Sequence, residues 1–200
     1  MFVAKVLFFS IAGQFSLLAK SGGQVPATRT ASNIVLIGMP GSGKSTVGVL
    51  LAKRLGLGFI DTDLLIQQEA GRTLQDIVDH EGYQALRQIE EQVLLELEVR
   101  RQVISTGGSA VYSEPAMQHL KTDAVVVFLD IPLEVVLERI GDYSARGISR
   151  RPGQSLSELF SERFGLYSGV ADVTVDCGDK NHEEVCDAVI AALRAAPGAC

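Results

Sequence analysis

The sequence predicts an α/β fold in which a parallel five-stranded sheet carries helices on both faces. Five short apolar runs alternate along the chain with longer segments of helical periodicity. Two of these runs, residues 34–37 and 124–130, are apolar at almost every position, which is typical of parallel strands buried on both faces. A length of 200 residues suits one domain of this class with a core of ordinary size.

The predicted elements follow one another in the order that a parallel sheet requires. Strands are expected at residues 34–37, 58–63, 102–106, 124–130 and 172–176. Helices are expected to begin at residue 44 and near residue 64, and to cover about 83–99, 132–140, 155–168 and 182–195. Apolar side chains three or four residues apart give most of these helices one face toward the core.

The segment between the first strand and the first helix has the spacing of a phosphate-binding loop. Residues 38–45 read G-x-x-x-x-G-K-S, and the glycines allow successive backbone N–H groups to turn toward one anion. The helix that follows directs the positive end of its dipole to the same point. A glycine-rich turn with an exposed lysine is the alternative, but it leaves Lys44 and Ser45 jointly unexplained. The loop therefore predicts a three-layer P-loop NTPase fold of the nucleoside-monophosphate-kinase-like type.

The loop also indicates which residues hold a nucleotide. Lys44 is expected to reach the β- and γ-phosphates of ATP, and the Ser45 hydroxyl is expected to bind Mg²⁺. Thr46 is next in line and is not a metal ligand by this spacing. The predicted nucleotide-binding residues of the loop are Gly41, Ser42, Gly43, Lys44, Ser45 and Thr46.

Charge and cysteine content argue against several other functions. A formal net charge of -6 and a pI near 5.1 disfavour a nucleic-acid partner, because its phosphates would be repelled. Cys177, Cys186 and Cys200 are unevenly spaced and form no C-x-x-C, which favours neither a disulfide framework nor a zinc site. We therefore expect a reducing compartment and an anionic ligand that is bound by local groups.

Residues 1–32 are expected to be an N-terminal extension or linker that is poorly ordered. Residues 1–19 are apolar, but the run is too interrupted for a membrane-spanning helix of ~20 residues and no A-x-A-like cleavage site follows. We expect no stable membrane insertion. A targeting segment, a plain extension and an upstream translation start all remain open. The catalytic domain is predicted at residues 33–195, followed by a short tail at 196–200.

Two acids end the second predicted strand. Asp61 and Asp63 lie at its carboxyl end, and in parallel sheets that edge also carries the phosphate loop. This placement favours a role in the site. The alternative is that Asp61 or Thr62 only caps the helix that follows.

Three charged residues face inward on predicted helices. Glu90 falls inside the apolar stripe of the helix at 83–99 and Arg87 lies at its edge, so they could form a structural ion pair or border a polar cleft. Arg163 lies at the centre of the apolar face of the helix at 155–168. Because a buried guanidinium needs an anion and no carboxylate nearby in sequence supplies it, Arg163 favours a ligand anion.

Two segments between the elements are candidate binding loops. Gly107 and Gly108 follow the third strand, where paired glycines allow a substrate to lie against backbone, although a plain tight turn is equally consistent. Residues 141–153 are polar and contain Arg146, Arg150 and Arg151, which is typical of a lid over transferring phosphate or of a solvated basic loop. The three histidines fit no ligand spacing and are expected at the surface.

Taken in order, the phosphate loop and the segments FIDTD, LRQIE, STGGSAV, RRP and ERFGLY resemble the shikimate kinase family. The resemblance covers about residues 33–193. It implies transfer of the γ-phosphoryl group of ATP to the 3-hydroxyl of shikimate, with Mg²⁺, in the pathway to chorismate and the aromatic amino acids. We also expect a monomeric enzyme in the cytoplasm, with organelle targeting by the extension left open.

The resemblance assigns roles on the nucleotide side of the site. Asp61 helps Ser45 to hold Mg²⁺, Arg139 corresponds to the residue beside adenine, and Arg151 corresponds to the lid arginine. Together with Lys44 and Asp63, Arg151 is expected to be catalytic.

On the acceptor side, the resemblance makes Asp63 the group that binds the shikimate hydroxyls and accepts a proton. Arg87, supported by Glu90, and Arg163 would clamp the shikimate carboxylate. The residues that line the acceptor site are then Asp63, Arg87, Gly107, Gly108, Ser109 and Arg163.

The chain departs from the family pattern at three positions that border the acceptor pocket. Ser109 replaces the third glycine, Leu86 replaces a phenylalanine, and Tyr83 replaces an acid. A related kinase with another acceptor, such as a gluconate kinase, is therefore an alternative, and a non-catalytic nucleotide-binding homologue is a second one.

Overall fold

The computed structural model describes residues 15–18, 28–140 and 147–195. Seven strands are present in this part of the chain: β1 (Phe15–Leu18), β2 (Thr28–Ala31), β3 (Asn33–Ile37), β4 (Gly58–Asp61), β5 (Gln102–Ser105), β6 (Ala124–Asp130) and β7 (Val173–Asp176). The α-helices of the same residues are α1 (Lys44–Leu55), α2 (Thr62–Ala70), α3 (Leu74–Leu95), α4 (Glu114–Lys121), α5 (Leu133–Ile140), α6 (Leu156–Val170) and α7 (His182–Ala195).

The main sheet has the order β4-β5-β3-β6-β7, and all of its strand pairs are parallel. β3 is central, with β5 on one side and β6 on the other, and its residues 34–37 are fully buried. The unbroken apolar runs thus become interior strands, because both of their faces are covered. The predicted five-stranded parallel sheet is confirmed.

Helices cover both faces of this sheet and set the walls of the site. α1 packs on β3, β4 and β5 and against α7, which also covers β7. α4 and α6 pack on β6, and α3 packs on α4. The carboxyl ends of β3, β4 and β5 therefore open toward the starts of α1 and α2 and the loop after β5, which places those segments at one edge of the sheet.

The helix predicted at about 83–99 corresponds to the second half of a longer element, which ends at Leu95 rather than near residue 99. α3 begins at Leu74 and contains one residue with non-helical geometry, Gly82, at φ 86°. Its first half was not predicted, although Thr73 and Asp76 form a capping box at its start. α4 was also missed; Ser113 caps it by accepting a hydrogen bond from the backbone N–H of Ala116 at 3.1 Å.

Much of the predicted extension lies outside the described residues. β1 and β2 pair in an antiparallel ladder, and Ala31 at the end of β2 is buried in the core. The hydroxyl of Ser32 then donates to Asp123 Oδ2 at 2.5 Å, which ties the chain to the domain directly before β3. The tail at 196–200, with Cys200, and residues 141–146 of the predicted lid, with Arg146, also lie outside the described residues.

The two cysteines in the described residues, Cys177 and Cys186, are buried and form no disulfide.

Across residues 15–18, 28–140 and 147–195, no helix combines the length and the apolar composition that crossing a membrane requires.

Candidate active site

The loop between β3 and α1 has the backbone conformation of an anion cradle. Gly38, Gly41 and Gly43 adopt φ values of 148°, 82° and 89°, which side chains rarely tolerate. A Cβ atom at Gly38 would also lie 2.7 Å from the backbone oxygen of Leu129 at the end of β6. The glycines are thus required both by backbone geometry and by the close approach of the neighbouring strand.

Lys44 lies at the floor of this loop with 8% of its surface exposed. Its Nζ atom donates to the backbone oxygens of Gly38 and Met39, both at 2.9 Å, and to Ser42 Oγ at 3.4 Å. Burial lowers the pKa of Lys44 to about 8, against the attraction of Asp63 and other acids nearby. A cation so poorly hydrated gains strongly from a phosphate oxygen at the same point.

Ser45 and Asp61 lie together at the start of α1 and the end of β4. The Ser45 hydroxyl donates to Asp61 Oδ2 at 2.6 Å, and it lies 3.4 Å from Ser105 Oγ. Asp61 Oδ1 accepts the backbone N–H of Asp63 at 3.0 Å, which caps α2. Asp61 therefore caps the helix and also faces the phosphate loop, so the two sequence hypotheses for it are compatible.

This pair of oxygen donors fits Mg²⁺. A hydroxyl and a carboxylate side by side match the preference of Mg²⁺ for oxygen ligands, with the remaining positions filled by water and phosphate. No group of three or more His, Cys, Asp or Glu side chains that could hold a metal occurs within the part of the chain described. The donor set therefore suits a metal that is bound jointly with a nucleotide rather than one held by a protein cage.

Asp63 lies in the first turn of α2 and faces Lys44. Burial raises its pKa to about 6, and the negative charge of Asp61 adds to this effect while Lys44 opposes it. A carboxyl group with such a pKa can still be ionised at neutral pH and has a greater affinity for a proton than an exposed aspartate.

The loop after β5 brings bare backbone against these acids. A methyl group at Gly107 would overlap Glu90 Oε1 and would lie 2.7 Å from Asp63 Oδ1. At Gly108 it would lie 2.7 Å from Arg163 Nη1 and 3.1 Å from Pro40 Cδ. The paired glycines therefore serve a close approach of charged side chains rather than a plain tight turn.

Glu90 is 2% exposed, in the second half of α3. Its Oε2 atom accepts a hydrogen bond from the hydroxyl of Ser109, and its Oε1 atom has no partner among the described residues. Burial raises its pKa to about 7, which the hydrogen bond from Ser109 partly opposes. Ser109, which departs from the family pattern, thus contacts the acid that the pattern retains.

Arg163 is 1% exposed on α6, as its position on the apolar face predicted. Its Nη2 donates to the backbone oxygen of Ser149 at 2.5 Å, while its buried Nε has no hydrogen-bond partner in the described structure. Leaving a buried N–H of a charged group unpaired is costly. An anionic ligand would supply the missing acceptor.

Arg87 does not pair with Glu90. Its Nε donates to Ser149 Oγ at 2.9 Å, and its Cζ lies 3.5 Å from the centre of the Tyr112 ring and 5.1 Å from that of Tyr83. Arg163 Cζ lies 5.5 Å from the centre of the same Tyr112 ring. The two arginines that were predicted to act together therefore converge on the same two residues, Tyr112 and Ser149.

One cavity of about 810 Å³ joins the phosphate loop to Arg163. Predicted nucleotide-site residues in its lining are Gly41, Gly43, Lys44, Ser45, Thr46 and Arg139. Predicted acceptor-site residues in its lining are Asp63, Gly107, Gly108, Ser109 and Arg163, and Glu90, which was expected to support Arg87, lines it too. Arg87 borders a smaller adjacent cavity of about 250 Å³, which shares Glu90 and Ser109 with the main one.

The remaining predicted residues lie at or beyond the edges of the main cavity. Ser42 is buried behind the loop, and Arg139 Nη1 donates to the backbone oxygen of Gly41 at 3.4 Å. Arg151 is outside the lining and pairs with Glu162 Oε2 at 2.5 Å, with 58% of its side chain exposed. The main cavity is therefore lined by most of the predicted polar groups, but not by Ser42, Asp61, Arg87 or Arg151. Asp61 contacts Ser45, Arg87 lines the adjacent cavity, and Arg151 pairs with Glu162.

Sequence reasoning missed several residues of the site. Tyr112 and Ser149 contact both arginines, and Thr62 Oγ1 accepts the backbone N–H of Gly107 at 3.2 Å. His182, expected only at the surface, is exposed but also lines the cavity beside Gly43. Tyr112, Ser149 and His182 lie outside the motifs, and Thr62 was considered only as a helix cap, so the packing of distant segments is needed to place them in the site.

The structure has a parallel sheet with a phosphate cradle at its centre, a pair of oxygen atoms that suits a metal, and a second polar subsite in the same cavity. These features define a P-loop kinase fold.

Comparison with known proteins identifies the family within this class. A family profile described as "Shikimate kinase" matches residues 40–194. Shikimate kinase of Aquifex aeolicus (strain VF5) is 40% identical over 161 residues, which cover 80% of this chain and 95% of that protein.

Solved structures agree with the sequence relatives. Shikimate kinase from Acinetobacter baumannii in complex with shikimate superposes with a TM-score of 0.74 at 34% identity, covering 80% of this chain and 91% of the other. The crystal structure of the Aquifex aeolicus enzyme gives a TM-score of 0.70 at 39% identity, covering 81% and 96%. The chain belongs to the shikimate kinase family.

Gly107→Ala is expected to lower kcat/KM by about 100-fold, because its methyl group would displace Asp63 and Glu90 by a fraction of an ångström or more. Steady-state kinetics measure the loss. Gly165→Ala on α6 is the matched control, since the added methyl group would have nothing within 4 Å beyond its chain neighbours and the nearby backbone of its own helix, and activity should be kept. Equal activity of the two variants would show that Gly107 does not set the geometry of the acids.

Glu90→Gln is expected to stabilise the protein more at pH 8 than at pH 5. The folded pKa of Glu90 is raised from 4.5 to about 7, so the ionised carboxylate increasingly destabilises the fold as the pH rises through this window. The difference in unfolding free energy between wild type and variant should change by up to about 3 kcal/mol. Urea unfolding at both pH values measures it.

The exposed Glu69→Gln on α2 is the control for this experiment and should show no such change. A stability difference for Glu90→Gln that is the same at pH 5 and pH 8 would contradict the assigned shift.

Proposed function

We propose that this chain transfers the γ-phosphoryl group of ATP to the 3-hydroxyl of shikimate, giving shikimate 3-phosphate and ADP. One observation carries the proposal: a single cavity is lined both by the phosphate loop and by the buried Arg163, whose Nε is unpaired among the described residues. Asp63 lies in the same lining. Membership of the shikimate kinase family supports shikimate as the acceptor.

The nucleotide binds at the phosphate loop in this proposal. The backbone N–H groups of residues 41–45 and the start of α1 hold the phosphates, and Lys44 exchanges its bonds to Gly38 and Met39 for phosphate oxygens. Arg139, which contacts Gly41, flanks the adenine end. Burial keeps water from screening the Lys44 charge, so its attraction to the phosphates is strong.

Ser45 and Asp61 would hold Mg²⁺ with the two oxygens that lie 2.6 Å apart in the structure. When bound, the metal neutralises charge on the β- and γ-phosphates. Asp61 is held for this role by the hydrogen bond from the backbone of Asp63.

Asp63 orients the acceptor hydroxyl and takes its proton. The O–H bond of the acceptor breaks toward the Asp63 carboxylate while the oxygen attacks the γ-phosphorus, and the bond to the bridging oxygen breaks so that its electrons remain on ADP. The raised pKa of Asp63 brings its proton affinity closer to that needed for this transfer. Positioning and charge neutralisation supply the remaining catalysis.

Arg163 and Arg87 bind the acceptor carboxylate. Arg163 offers its buried Nε, and Arg87 offers the terminal N–H groups that are not bonded to Ser149. Gly107 and Gly108 leave room for the acceptor beside these groups. Arg151 would have to break its ion pair with Glu162 before it could stabilise the negative charge of the transferring phosphoryl group.

The same proposal extends to where and how the enzyme works. Use of ATP and the unpaired Cys177 and Cys186 support a reducing location, the cytoplasm. Because all proposed groups of the cavity come from one chain, the enzyme is proposed to act as a monomer.

A coupled ADP-release assay with and without shikimate tests the function directly. We expect ADP release to require shikimate and Mg²⁺, and gluconate at the same concentration to support little or none. If gluconate supported ADP release at the same rate as shikimate, the proposed acceptor would be wrong and another acceptor would have to be assigned. Nucleotide binding without any acceptor-dependent release would show a non-catalytic protein.

Asp63→Asn is expected to keep ATP affinity and to lower kcat by about 100-fold or more, because the amide cannot take the hydroxyl proton. Calorimetric ATP titration and the same coupled assay separate the two effects. Turnover close to that of the wild type would exclude Asp63 as the base.

A further inference from the structure

We propose that Ser149 is a positioning residue that fixes the two arginines of the acceptor site for one carboxylate. The inference rests on the proposed function, in which Arg87 and Arg163 bind the acceptor acid. No motif of the sequence marks Ser149, which lies in the polar stretch before α6.

Ser149 is 3% exposed and uses both its side chain and its backbone. Its Oγ accepts from Arg87 Nε at 2.9 Å and donates to the backbone oxygen of Tyr83 at 3.3 Å. Its backbone oxygen accepts from Arg163 Nη2 at 2.5 Å. One residue therefore links α3, which carries Arg87 and Tyr83, to α6, which carries Arg163.

The arrangement gathers two positive charges without neutralising them. Both guanidinium groups lie near the same aromatic ring, that of Tyr112, with Cζ-to-centroid distances of 3.5 Å for Arg87 and 5.5 Å for Arg163. Within the described residues neither arginine forms an ion pair with a carboxylate. Two close guanidinium groups repel each other, and the neutral oxygens of Ser149 hold them in place without cancelling their charge.

The hydrogen bonds to Ser149 leave suitable donors free for a ligand. A guanidinium has five N–H groups, and Ser149 takes one from each arginine. Arg163 Nε stays unpaired and buried, and Ser149 itself lines the main cavity. Arg87 lines the adjacent cavity, which shares Glu90 and Ser109 with the main one. An acceptor carboxylate at the junction of the two cavities would meet two preoriented cations, so less ordering is required when it binds.

An acid at this position would have a different effect. A carboxylate bonded to both arginines would neutralise them and would compete with the acceptor for the same N–H groups. Glu162, the acid that contacts Tyr112, is engaged by the Tyr112 hydroxyl at 2.7 Å, by Gln154 Nε2 at 2.8 Å and by Arg151. A serine provides the hydrogen bonds and leaves the positive charge for the substrate.

Ser149→Ala tests the inference by removing the bond to Arg87 while keeping the backbone bond to Arg163. The KM for shikimate is expected to rise about tenfold, with kcat and the KM for ATP unchanged, because a hydrogen bond to a charged group is lost. Ser149→Thr keeps the hydroxyl and should restore the KM. Ser161→Ala, the same change at an exposed position on α6, is the control and should behave as wild type.

Two further readouts separate positioning from a general structural role. In an Arg87→Ala background, Ser149→Ala should have no further effect on the KM, because the group that it positions is absent. The preference of the enzyme for shikimate over its methyl ester, measured as a ratio of kcat/KM values, should fall in Ser149→Ala and remain in Ser161→Ala. An unchanged KM, an unchanged ratio, or a full effect in the Arg87→Ala background would each overturn the inference.

Nuclear magnetic resonance keeps the test independent of activity. The Nε–H signal of Arg87, assigned by its loss in Arg87→Ala, should exchange slowly with solvent in wild type and faster in Ser149→Ala. Equal exchange in both proteins would overturn the inference. If wild type shows no shikimate-dependent ADP release, the proposed function fails, and the exchange measurement still decides whether Ser149 holds Arg87.

Discussion

The constraint on which this structure depends is the burial of incompletely paired charges around one cavity. Glu90 and Arg163 are 2% and 1% exposed, and each keeps one polar atom without a partner in the described structure. Such groups destabilise a fold unless something else meets them. The parallel sheet and its packed helices stabilise the arrangement, and in the proposed function the acceptor carboxylate supplies the missing partner of Arg163 Nε. Under that proposal the cost in stability is the cost of a binding site.

The parts that could be predicted from sequence are those that local patterns determine. The apolar runs of β3 and β6 predicted interior strands, and the glycine spacing predicted the phosphate loop, because both depend only on neighbouring residues. Helical periodicity also placed Glu90 and Arg163 toward the interior correctly. The family resemblance added the expectation that Arg163 and Arg87 bind an acceptor carboxylate, which periodicity alone does not provide.

The parts that sequence did not predict arise from contacts between distant segments. Arg87 bonds to Ser149, which is 62 positions away, and its guanidinium lies over the Tyr112 ring, whereas it forms no ion pair with Glu90, its neighbour on the helix. The same holds for Arg151, which lies with Glu162 rather than at the cavity. The starts of α3 and α4 carried local signals, a capping box and a serine cap, that hydrophobic periodicity alone overlooks.

The most direct test of the account is a crystal structure of the protein with ADP, Mg²⁺ and shikimate bound. The account predicts the diphosphate in the loop of residues 38–45, the shikimate carboxylate within hydrogen-bond distance of Arg163 Nε, and the 3-hydroxyl at Asp63. A carboxylate that lies away from Arg163, or an acceptor outside the cavity that contains Asp63, would contradict it.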